Sequence, residues 1–247
     1  MKIREIKAKS ILSKSQVYDY ALNPYVGCQH GCLYCYAKFM KRFTGHMERW
    51  GEFVDIKINA PELLADEIKK KRVGRVWLSG VCDPYQPLEK RYMLTRRCLE
   101  TLVENGWPFT VQTKSSLVLR DIEILKRSND AEVGFTITTA DKRIGKIFEP
   151  GAPPLGKRIE ALGKFRSEGI KTFAMIAPIL SGAEGLVSDL KGKVEYVILD
   201  RLNYHYADWA YKRYEMQWAM EDSFFYQKGG ELKRAFEREG IPCQMVF

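Results

Sequence analysis

The chain has 247 residues, of which 45% are hydrophobic and 29% are charged, proportions that are ordinary for a soluble globular protein. This length is enough to bury a large core in one α/β domain. The sequence begins without an apolar stretch of signal-peptide length, and no window approaches the roughly 18 apolar residues of a membrane helix. We therefore expect a cytoplasmic protein that makes no membrane contact.

The formal charge of +9 is unevenly distributed along the chain. Residues 1–75 carry 15 Lys and Arg against 8 Asp and Glu, whereas residues 201–247 carry seven of each. A basic N-terminal third is suited to an anionic partner such as a nucleic acid. A solvated basic surface explains the same charge equally well, because charge alone says nothing about the fold.

The predicted elements alternate between apolar, β-rich runs and amphipathic helices. In chain order they are a strand at 15–26, a short strand or extended loop at 53–58, a helix at 61–72, a strand at 75–80, a helix at 92–105, a strand at 109–114, a helix at 119–129, a strand at 133–139, a helix at 155–168, a strand at 173–180, a helix at 186–190, a strand at 194–199 and a last strand at 241–247. Nearly continuous apolar strands separated by helices indicate a parallel sheet that is buried on both faces.

About six βα units fit within residues 1–205, whereas a complete eight-fold barrel typically needs about 250 residues. We therefore predict an α/β fold, a partial (β/α)6 barrel of the TIM type, whose ligands lie at the carboxyl ends of the strands. Residues 206–247 are predicted to form a helical extension within the same globular unit. Its aromatic residues are expected to lie mostly in the core, because such rings dominate core burial: Tyr206, Trp209, Tyr211, Tyr214, Trp218, Phe224, Phe225 and Tyr226.

Three of the six cysteines, Cys28, Cys32 and Cys35, lie in a C-x3-C-x2-C pattern directly after the first predicted strand. Thiolates are the usual ligands of iron–sulfur clusters. Three of them occupy three corners of a [4Fe–4S] cubane and leave one iron open for a small molecule, much as a catalytic zinc keeps an open position. Gly27 and Gly31 allow the backbone to fold tightly around such a cluster.

Two other kinds of metal site fit this pattern less well. A structural zinc site needs a fourth ligand, for which His30 or His46 are candidates, and its cysteine pairs usually have C-x2-C or C-x4-C spacing. A cluster that only transfers electrons normally has four cysteine ligands. Cys98 and Cys243 are expected in the core, and they lie too far from Cys82 in sequence to indicate a second cluster.

The string NPYVGCQHGCLYCYA, with Tyr34 before the last cysteine, resembles the signature of the radical S-adenosylmethionine (SAM) superfamily. Three further strings, GVCDPYQPLEKRYMLTRRCLETL, ITTADKRIGKIFEPGAPPLGKRIEAL and GIKTFAMIAPIL, resemble the spore photoproduct lyase-like branch of that superfamily. The resemblance runs in order from about residue 15 to residue 205. The last 40 residues resemble no family in particular.

The resemblance implies an enzyme that is lyase-like, in which a reduced [4Fe–4S] cluster cleaves SAM to a 5′-deoxyadenosyl radical that abstracts hydrogen from a substrate. It also implies an electron donor of the ferredoxin or flavodoxin type, and we expect a monomer or a weak homodimer. The substrate could be a nucleic acid, as in spore photoproduct lyase, or a peptide or small metabolite. The alternative from another functional class is a non-catalytic binding protein whose fold is stabilised by its metal.

The resemblance further places eight residues close to SAM: Tyr34, Ser79, Gly80, Val81, Thr138, Thr139, Glu149 and Arg158. Asp83 is a ninth candidate, for a substrate or SAM contact, because of its place in the chain. Tyr34 would lie near the adenine, the strand end at 79–81 near the amino group, and the strand end at 138–139 near the ribose. Glu149 and Arg158 either pair with each other or contact SAM. Asp83 begins a loop on the face where barrel active sites occur, and Tyr85 and Gln86 share that loop.

Two residues are candidates for the substrate step. Cys82 follows a predicted barrel strand, and a thiol is a good hydrogen-atom donor; the resembled lyases use a cysteine in this general region to quench the product radical. The local string SGVCDPYQP departs from theirs, so a small buried cysteine at a strand end is the alternative. Tyr36 directly follows the cysteine triple and is predicted either to relay a radical or to pack. His205 could face the site or hydrogen-bond structurally.

Overall fold

A computed structural model describes residues 1–78 and 80–247 of the chain. Its strands are β1 (Lys2–Ile6), β2 (Leu12–Lys14), β3 (Tyr20–Leu22), β4 (Tyr25–Val26), β5 (Phe53–Lys57), β6 (Val76–Leu78), β7 (Phe109–Thr113), β8 (Ala131–Thr136), β9 (Lys171–Ile176), β10 (Tyr196–Leu199) and β11 (Cys243–Met245). Its α-helices are α1 (Ala60–Ile68), α2 (Glu89–Tyr92), α3 (Leu94–Glu104), α4 (Ile122–Lys126), α5 (Lys142–Phe148), α6 (Leu155–Ser167), α7 (Leu186–Leu190), α8 (Asp208–Arg213) and α9 (Asp222–Arg238). Short 3-10 helices cover Tyr36–Phe43, Ser116–Asp121, Ala183–Gly185, His205–Ala207 and Gln217–Met220.

The central sheet has the strand order β2-β3-β6-β7-β8-β9-β10-β11. Every neighbouring pair in it is parallel except β2 and β3, which are antiparallel. Parallel neighbours need crossover connections, and the intervening helices provide them. The predicted mixed α/β class with a central parallel sheet is therefore confirmed, and β11 extends the sheet beside β10 as the last predicted strand.

The core lies between this sheet and the helices that cover it. Val111 and Phe135 on the strands and Leu162 and Phe165 on α6 are inaccessible to solvent. The C-terminal residues join the same apolar cluster, to which Phe225, Leu232, Phe236, Ile241 and Cys243 all belong. Among the described residues, no helix has both the length and the apolar character needed to cross a membrane.

A second, small sheet carries the chain into the cysteine loop. In it β5 is parallel to β1 and antiparallel to β4. The single strand predicted at 15–26 is wrong, because β3 ends in the central sheet and β4 begins in the small one. Pro24 lies between them, and since a proline has no N–H to donate, the ladder breaks there. Neither β1 nor α5 had been predicted.

Two other expectations are corrected by the structure. The helix predicted at 92–105 is divided at Met93, whose φ of +49° ends α2 and begins α3. The C-terminal aromatic residues are mostly not in the core: Tyr211 and Phe225 are buried, but five of the eight are exposed. These five are Tyr206, Trp209, Tyr214, Trp218 and Tyr226.

Substituting a glycine of β8 tests how tightly the sheet packs. A Cβ at Gly134 would lie only 2.0 Å from the ring of Phe173, which stacks on Tyr196 with centroids 5.1 Å apart. We expect Gly134→Ala to lower the free energy of unfolding by about 1–3 kcal/mol, because the ring must shift. Urea denaturation followed by circular dichroism measures this change.

Gly156→Ala is the matched control for that variant. Gly156 lies in α6 with no atom within 4 Å of the added carbon, so the same substitution should stabilise the protein by roughly 0.5–1 kcal/mol. Equal effects of the two substitutions would contradict the packing described for β8.

Candidate functional site

A cavity lies at the carboxyl ends of five neighbouring parallel strands, β6 to β10. Each of these strands, or the segment directly after it, contributes to the wall: 80–83 after β6, 112–114 at the end of β7, Thr136 of β8, Met175 of β9 and 200–204 after β10. This is the edge of a parallel sheet where α/β proteins bind ligands.

The cysteine loop forms the remaining wall, and all three predicted cluster cysteines line the same cavity. Two turns shape the loop, because the amide of Gly31 donates to the carbonyl of Cys28 and that of Cys35 to Cys32, each at 3.2 Å. Gly27 adopts a φ of +86°, and a Cβ there would lie 2.4 Å from the carbonyl oxygen of Phe53. A residue with a side chain would therefore push the loop away from β5.

Two distant segments hold the cysteine loop in place. The side-chain oxygen of Gln86 accepts from the amide of Gln29 at 2.9 Å, and its NH2 group donates to the carbonyl of Gly27 at 3.3 Å. On the other side, the amide of Gly151 donates to the carbonyl of His30 at 3.0 Å. Gln86 is fully buried by these contacts, so its role is to fix the loop.

Asp83, at the base of the cavity, is a buried carboxylate with several donors. Its oxygens accept from the Thr113 hydroxyl at 2.6 Å and from the amides of Tyr85 and Lys114 at 2.8 Å each. The Nδ1 atom of His30 lies 3.3 Å from Oδ2. Burial opposes the charged carboxylate, but the nearby His30 and these hydrogen bonds outweigh it and lower the pKa of Asp83 to about 2.

The two histidines once considered as zinc ligands are placed very differently. His30 lines the cavity and is almost completely buried, and its two ring nitrogens form no hydrogen bond with any of the described residues despite the nearby Asp83. His46 instead lies 2.9 Å from Asp55 and 2.9 Å from Glu48, away from the cysteines. In the part of the chain that the structure describes, no three His, Cys, Asp or Glu side chains are arranged around a single metal ion.

Two of the cluster cysteines, the buried Cys32 and the half-buried Cys35, have surroundings that disfavour a thiolate. Desolvation raises the pKa of Cys32 to about 11 and that of Cys35 to about 12, although the Lys114 ammonium partly opposes both shifts. Metal binding requires thiolates, so these two side chains need a strongly positive group beside them to ionise near neutral pH. The iron ions of a bound cluster would supply that charge.

The segment after β6 brings three predicted residues to the cavity wall: Gly80, Val81 and Cys82. Asn23 holds them, because its side-chain oxygen accepts from the amide of Val81 at 2.8 Å and lies 3.6 Å from the Cys82 sulfur. Burial raises the pKa of Cys82, so this thiol is neutral at physiological pH. Ser79 lies outside the described residues.

A buried polar network lies behind the cysteine loop. The phenol of Tyr34 donates to Glu149, which also accepts from the Thr138 hydroxyl at 3.3 Å. Glu149 forms an ion pair of 2.6 Å with Arg158, and both side chains are buried. Of these four residues only Tyr34 lines the cavity, and the ammonium of Lys114 lies 4.0 Å from Glu149.

Three more predicted residues lie at or near the same strand ends. The hydroxyl of Thr139 donates to the carbonyl of Ser181 at 2.6 Å, and Thr139 does not line the cavity. Tyr36 does line it, and its phenol donates to the carbonyl of Gly80. The phenol of Tyr85 donates to Asp121 at 2.9 Å, away from the cavity. The roles given to these residues stay predictions.

Sequence reasoning missed several residues that line the cavity. The most informative is Lys114, whose ammonium lies close to both the Tyr34 ring and Glu149. Burial lowers the pKa of Lys114, but the proximity of Cys32 and Glu149 raises it by more, so the ammonium stays charged. Others include Gln112, Met175, Asp200, Arg201, Asn203 and Tyr204. All lie at or just after the carboxyl ends of parallel strands, where barrel proteins bind ligands, but this rule indicates the strand ends and not the individual residues.

Gly151→Ala tests whether the segment after α5 sets the position of the cysteines. A Cβ at Gly151 would lie 2.5 Å from the carbonyl oxygen of Gln29, so the loop must move. We expect anaerobic reconstitution of this variant to incorporate less than half of the wild-type iron, measured by iron content and absorbance near 400 nm. Gly156→Ala, in open space on α6, should load like the wild type; unchanged loading of Gly151→Ala would contradict this account.

Comparisons with known proteins agree with this site. Residues 22–182, well over half of the chain, match the Radical SAM superfamily. An uncharacterized protein of Methanocaldococcus jannaschii is 36% identical over 209 residues, covering 82% of this chain and 78% of that protein. An uncharacterized protein of Mycobacterium tuberculosis is 27% identical over 188 residues, covering 71% of this chain and 55% of that protein. The chain thus spans little more than half of the mycobacterial relative.

Solved structures share the fold at low sequence identity. A cysteine-to-serine mutant of spore photoproduct lyase has a TM-score of 0.68 and 16% identity, covering 99% of this chain and 82% of that one. Streptococcus suis SuiB bound to its precursor peptide SuiA has a TM-score of 0.63 and 16% identity, covering 92% of this chain and 48% of that one. The predicted structural similarity to spore photoproduct lyase is therefore confirmed, and the chain belongs to the radical SAM superfamily of enzymes.

Proposed function

We propose that this enzyme holds a [4Fe–4S] cluster on Cys28, Cys32 and Cys35 and cleaves SAM reductively to a 5′-deoxyadenosyl radical that abstracts hydrogen from a substrate. One observation carries the proposal: the three thiols line a single cavity at the carboxyl ends of parallel strands. The donor set fits the group, because three thiolates leave one iron of a cubane open to a small molecule. The central sheet fits a partial barrel around that cavity.

When bound, the cluster and SAM supply the one-electron chemistry, and the protein provides orientation and a cavity shielded from water. We propose that the loop contacts of Gln86 and Gly151 provide this orientation, because they fix the three thiols relative to the strand ends. Asp83 fixes the neighbouring strand end, since it binds the side chain of Thr113 and the amide of Lys114 together.

Lys114 is proposed to bind the carboxylate of SAM. It lines the cavity close to Cys32, on the side of the cluster loop, and its charge is only partly balanced by Glu149 at 4.0 Å. Tyr34, Gly80, Val81 and Asp83 line the same space and are proposed as further SAM contacts. Ser79, which precedes Gly80 in the sequence, is proposed with them.

The other predicted SAM residues are proposed to act from behind the cavity wall. Glu149 joins Tyr34, Thr138 and Arg158 in one buried network, so these residues would hold the Tyr34 ring in position. Thr139 would act through the loop at Ser181, to which it is bonded. This arrangement makes them positioning residues.

Cys82 is proposed as the hydrogen-atom donor to the product radical, and Tyr36 as a neighbour that relays the radical. Both side chains line the cavity. Cys82 belongs to the segment after β6, and the phenol of Tyr36 donates to the carbonyl of Gly80 in that segment. A buried, protonated thiol suits this role, because the S–H bond can be broken and the resulting thiyl radical reduced again by the electron donor.

The substrate class is proposed from the solved relatives and the charge. One similar structure is spore photoproduct lyase with bound SAM and a dinucleoside spore photoproduct, and another is SuiB with a precursor peptide. The excess of basic residues favours an anionic substrate, and we therefore place a nucleic acid before a peptide or metabolite. We further propose that the enzyme is cytoplasmic and is reduced by a ferredoxin or flavodoxin. In its proposed organisation, residues 1–205 form the barrel, and residues 206–247 pack on it and add β11 to the edge of its sheet.

Cleavage of SAM by the anaerobically reconstituted, dithionite-reduced protein tests the central proposal. We expect 5′-deoxyadenosine from the wild type and less than one hundredth as much from Cys28→Ala, Cys32→Ala and Cys35→Ala, because each removes a cluster ligand. Cys243→Ala, on the far edge strand β11, is the matched control and should behave like the wild type.

A wild-type protein that takes up no iron, or that cleaves SAM equally well without its cysteines, would refute the proposal. Once a substrate is found, the same reaction in D2O tests Cys82. Product from the wild type should carry one deuterium from the exchangeable thiol, and product from Cys82→Ala should lack it.

Lys114→Gln tests the SAM carboxylate contact. Losing a charge-assisted hydrogen bond costs about 1.5–3 kcal/mol, so SAM should bind roughly ten- to a hundred-fold more weakly. Isothermal titration of cluster-loaded protein with SAM measures the affinity. Lys126→Gln, on the outer surface beside Glu168, serves as control, and equal affinities of the two variants would remove Lys114 from the site.

A further inference from the structure

Three exposed tyrosines lead from the cavity to the surface. The rings of Tyr36 and Tyr204, which both line the cavity, stack at 6.4 Å with 23° between their planes. Tyr204 and Tyr206 stack at 5.6 Å and are nearly parallel, with 4° between them. These three residues, here called the tyrosine ladder, are 40%, 43% and 37% exposed. A contiguous row of exposed aromatic rings marks a surface at which another molecule binds.

The tyrosine ladder ends in a basic groove. Tyr206 lines it together with Lys38, Lys41 and Arg42, all from the 3-10 helix that directly follows the cysteine loop. The ammonium of Lys38 lies 5.3 Å from the centre of the Tyr206 ring. The cavity and the groove are thus joined by one continuous row of rings.

The cations of this groove are not neutralised. Throughout residues 1–78 and 80–247, no carboxylate lies within ion-pair distance of Lys38, Lys41 or Arg42; the two lysines donate to backbone carbonyls and Arg42 stacks on phenylalanine rings. The nearby carboxylates are already engaged, Glu48 by Lys2 at 3.1 Å and by His46, and Asp55 by Arg4 at 2.7 Å and by His46.

We propose that the tyrosine ladder and the basic groove bind an unpaired nucleic-acid strand and lead one of its nucleotides into the cavity. Planar bases stack on exposed aromatic rings irrespective of sequence, while a positively charged groove follows the phosphates. A duplex keeps its bases stacked on each other and cannot use the ladder. The inference deepens the proposed function, because it names the substrate class for that same cavity.

The test is binding of fluorescein-labelled twelve-nucleotide strands, DNA and RNA, to cluster-loaded protein, measured by fluorescence anisotropy. Neither SAM nor a reductant is present. Consequently, a wild type that fails to cleave SAM refutes the proposed function and not this surface, whereas a wild type that binds no strand refutes this surface alone.

We expect Tyr206→Ala to weaken binding about tenfold, the loss typical for one stacked base, while Tyr206→Phe keeps the ring and the affinity. The double variant Lys41→Glu/Arg42→Glu should bind more weakly and lower the slope of log K against log salt by about 1.4, or about 0.7 for each lost phosphate contact. Lys69→Glu/Lys70→Glu changes the charge equally at two exposed positions directly after α1, and should bind like the wild type.

Three results would overturn the proposal. The first is equal affinity for the single strand and its duplex, and the second is equal weakening by the two double variants. The third is that Lys41→Glu/Arg42→Glu leaves oligonucleotide binding intact but slows reduction of the cluster by flavodoxin. That result would make the groove a docking surface for an acidic electron carrier.

Discussion

The close approach of Gly151 to the carbonyl oxygens of Gln29 and His30 is the contact on which the site depends. It brings the segment after α5 beneath the cysteine loop, while Gln86 holds the same loop from the strand side. Neither residue is a cysteine, and the two are far apart in sequence. The direction of the three thiols is therefore set by the tertiary fold. A short motif can supply ligands, but only the packed sheet can aim all of them at one cavity.

Buried charge surrounds this loop and is balanced in pairs. Asp83 faces His30 on one side, and Glu149 faces Arg158 on the other. In an interior of low dielectric, each carboxylate would be strongly unfavourable without its partner and hydrogen bonds. Burial raises the pKa of Cys32 and Cys35, so the apoprotein does not have to bury these two side chains as additional negative charges. In the proposed function, loading of the cluster and ionisation of these two ligands are therefore one event.

The parts of this protein that could be predicted from its sequence are those with local signals. The spacing of Cys28, Cys32 and Cys35 and the alternation of strands and helices both follow from neighbouring residues. The predicted strand end also drew attention to the segment Gly80 to Asp83, which lines the cavity. Lys114 could not be selected, because nothing near it in sequence shows that its ammonium points at Glu149. The exposed rings of Tyr206 and Trp209 were misjudged for a related reason: a ring is buried only if another segment covers it, and here none does among the described residues.

Asn23 occupies the short connection between the two sheets. Its side chain accepts from the Val81 amide, across the gap between the ends of β3 and β6. β4, just beyond it, belongs to the small sheet, as does β5, which supports Gly27 at the start of the cysteine loop. A displacement of the small sheet would consequently be transmitted to both ends of the site at once. None of the described strands β1, β4 and β5 lines the cavity, so the site depends on a sheet that never touches it.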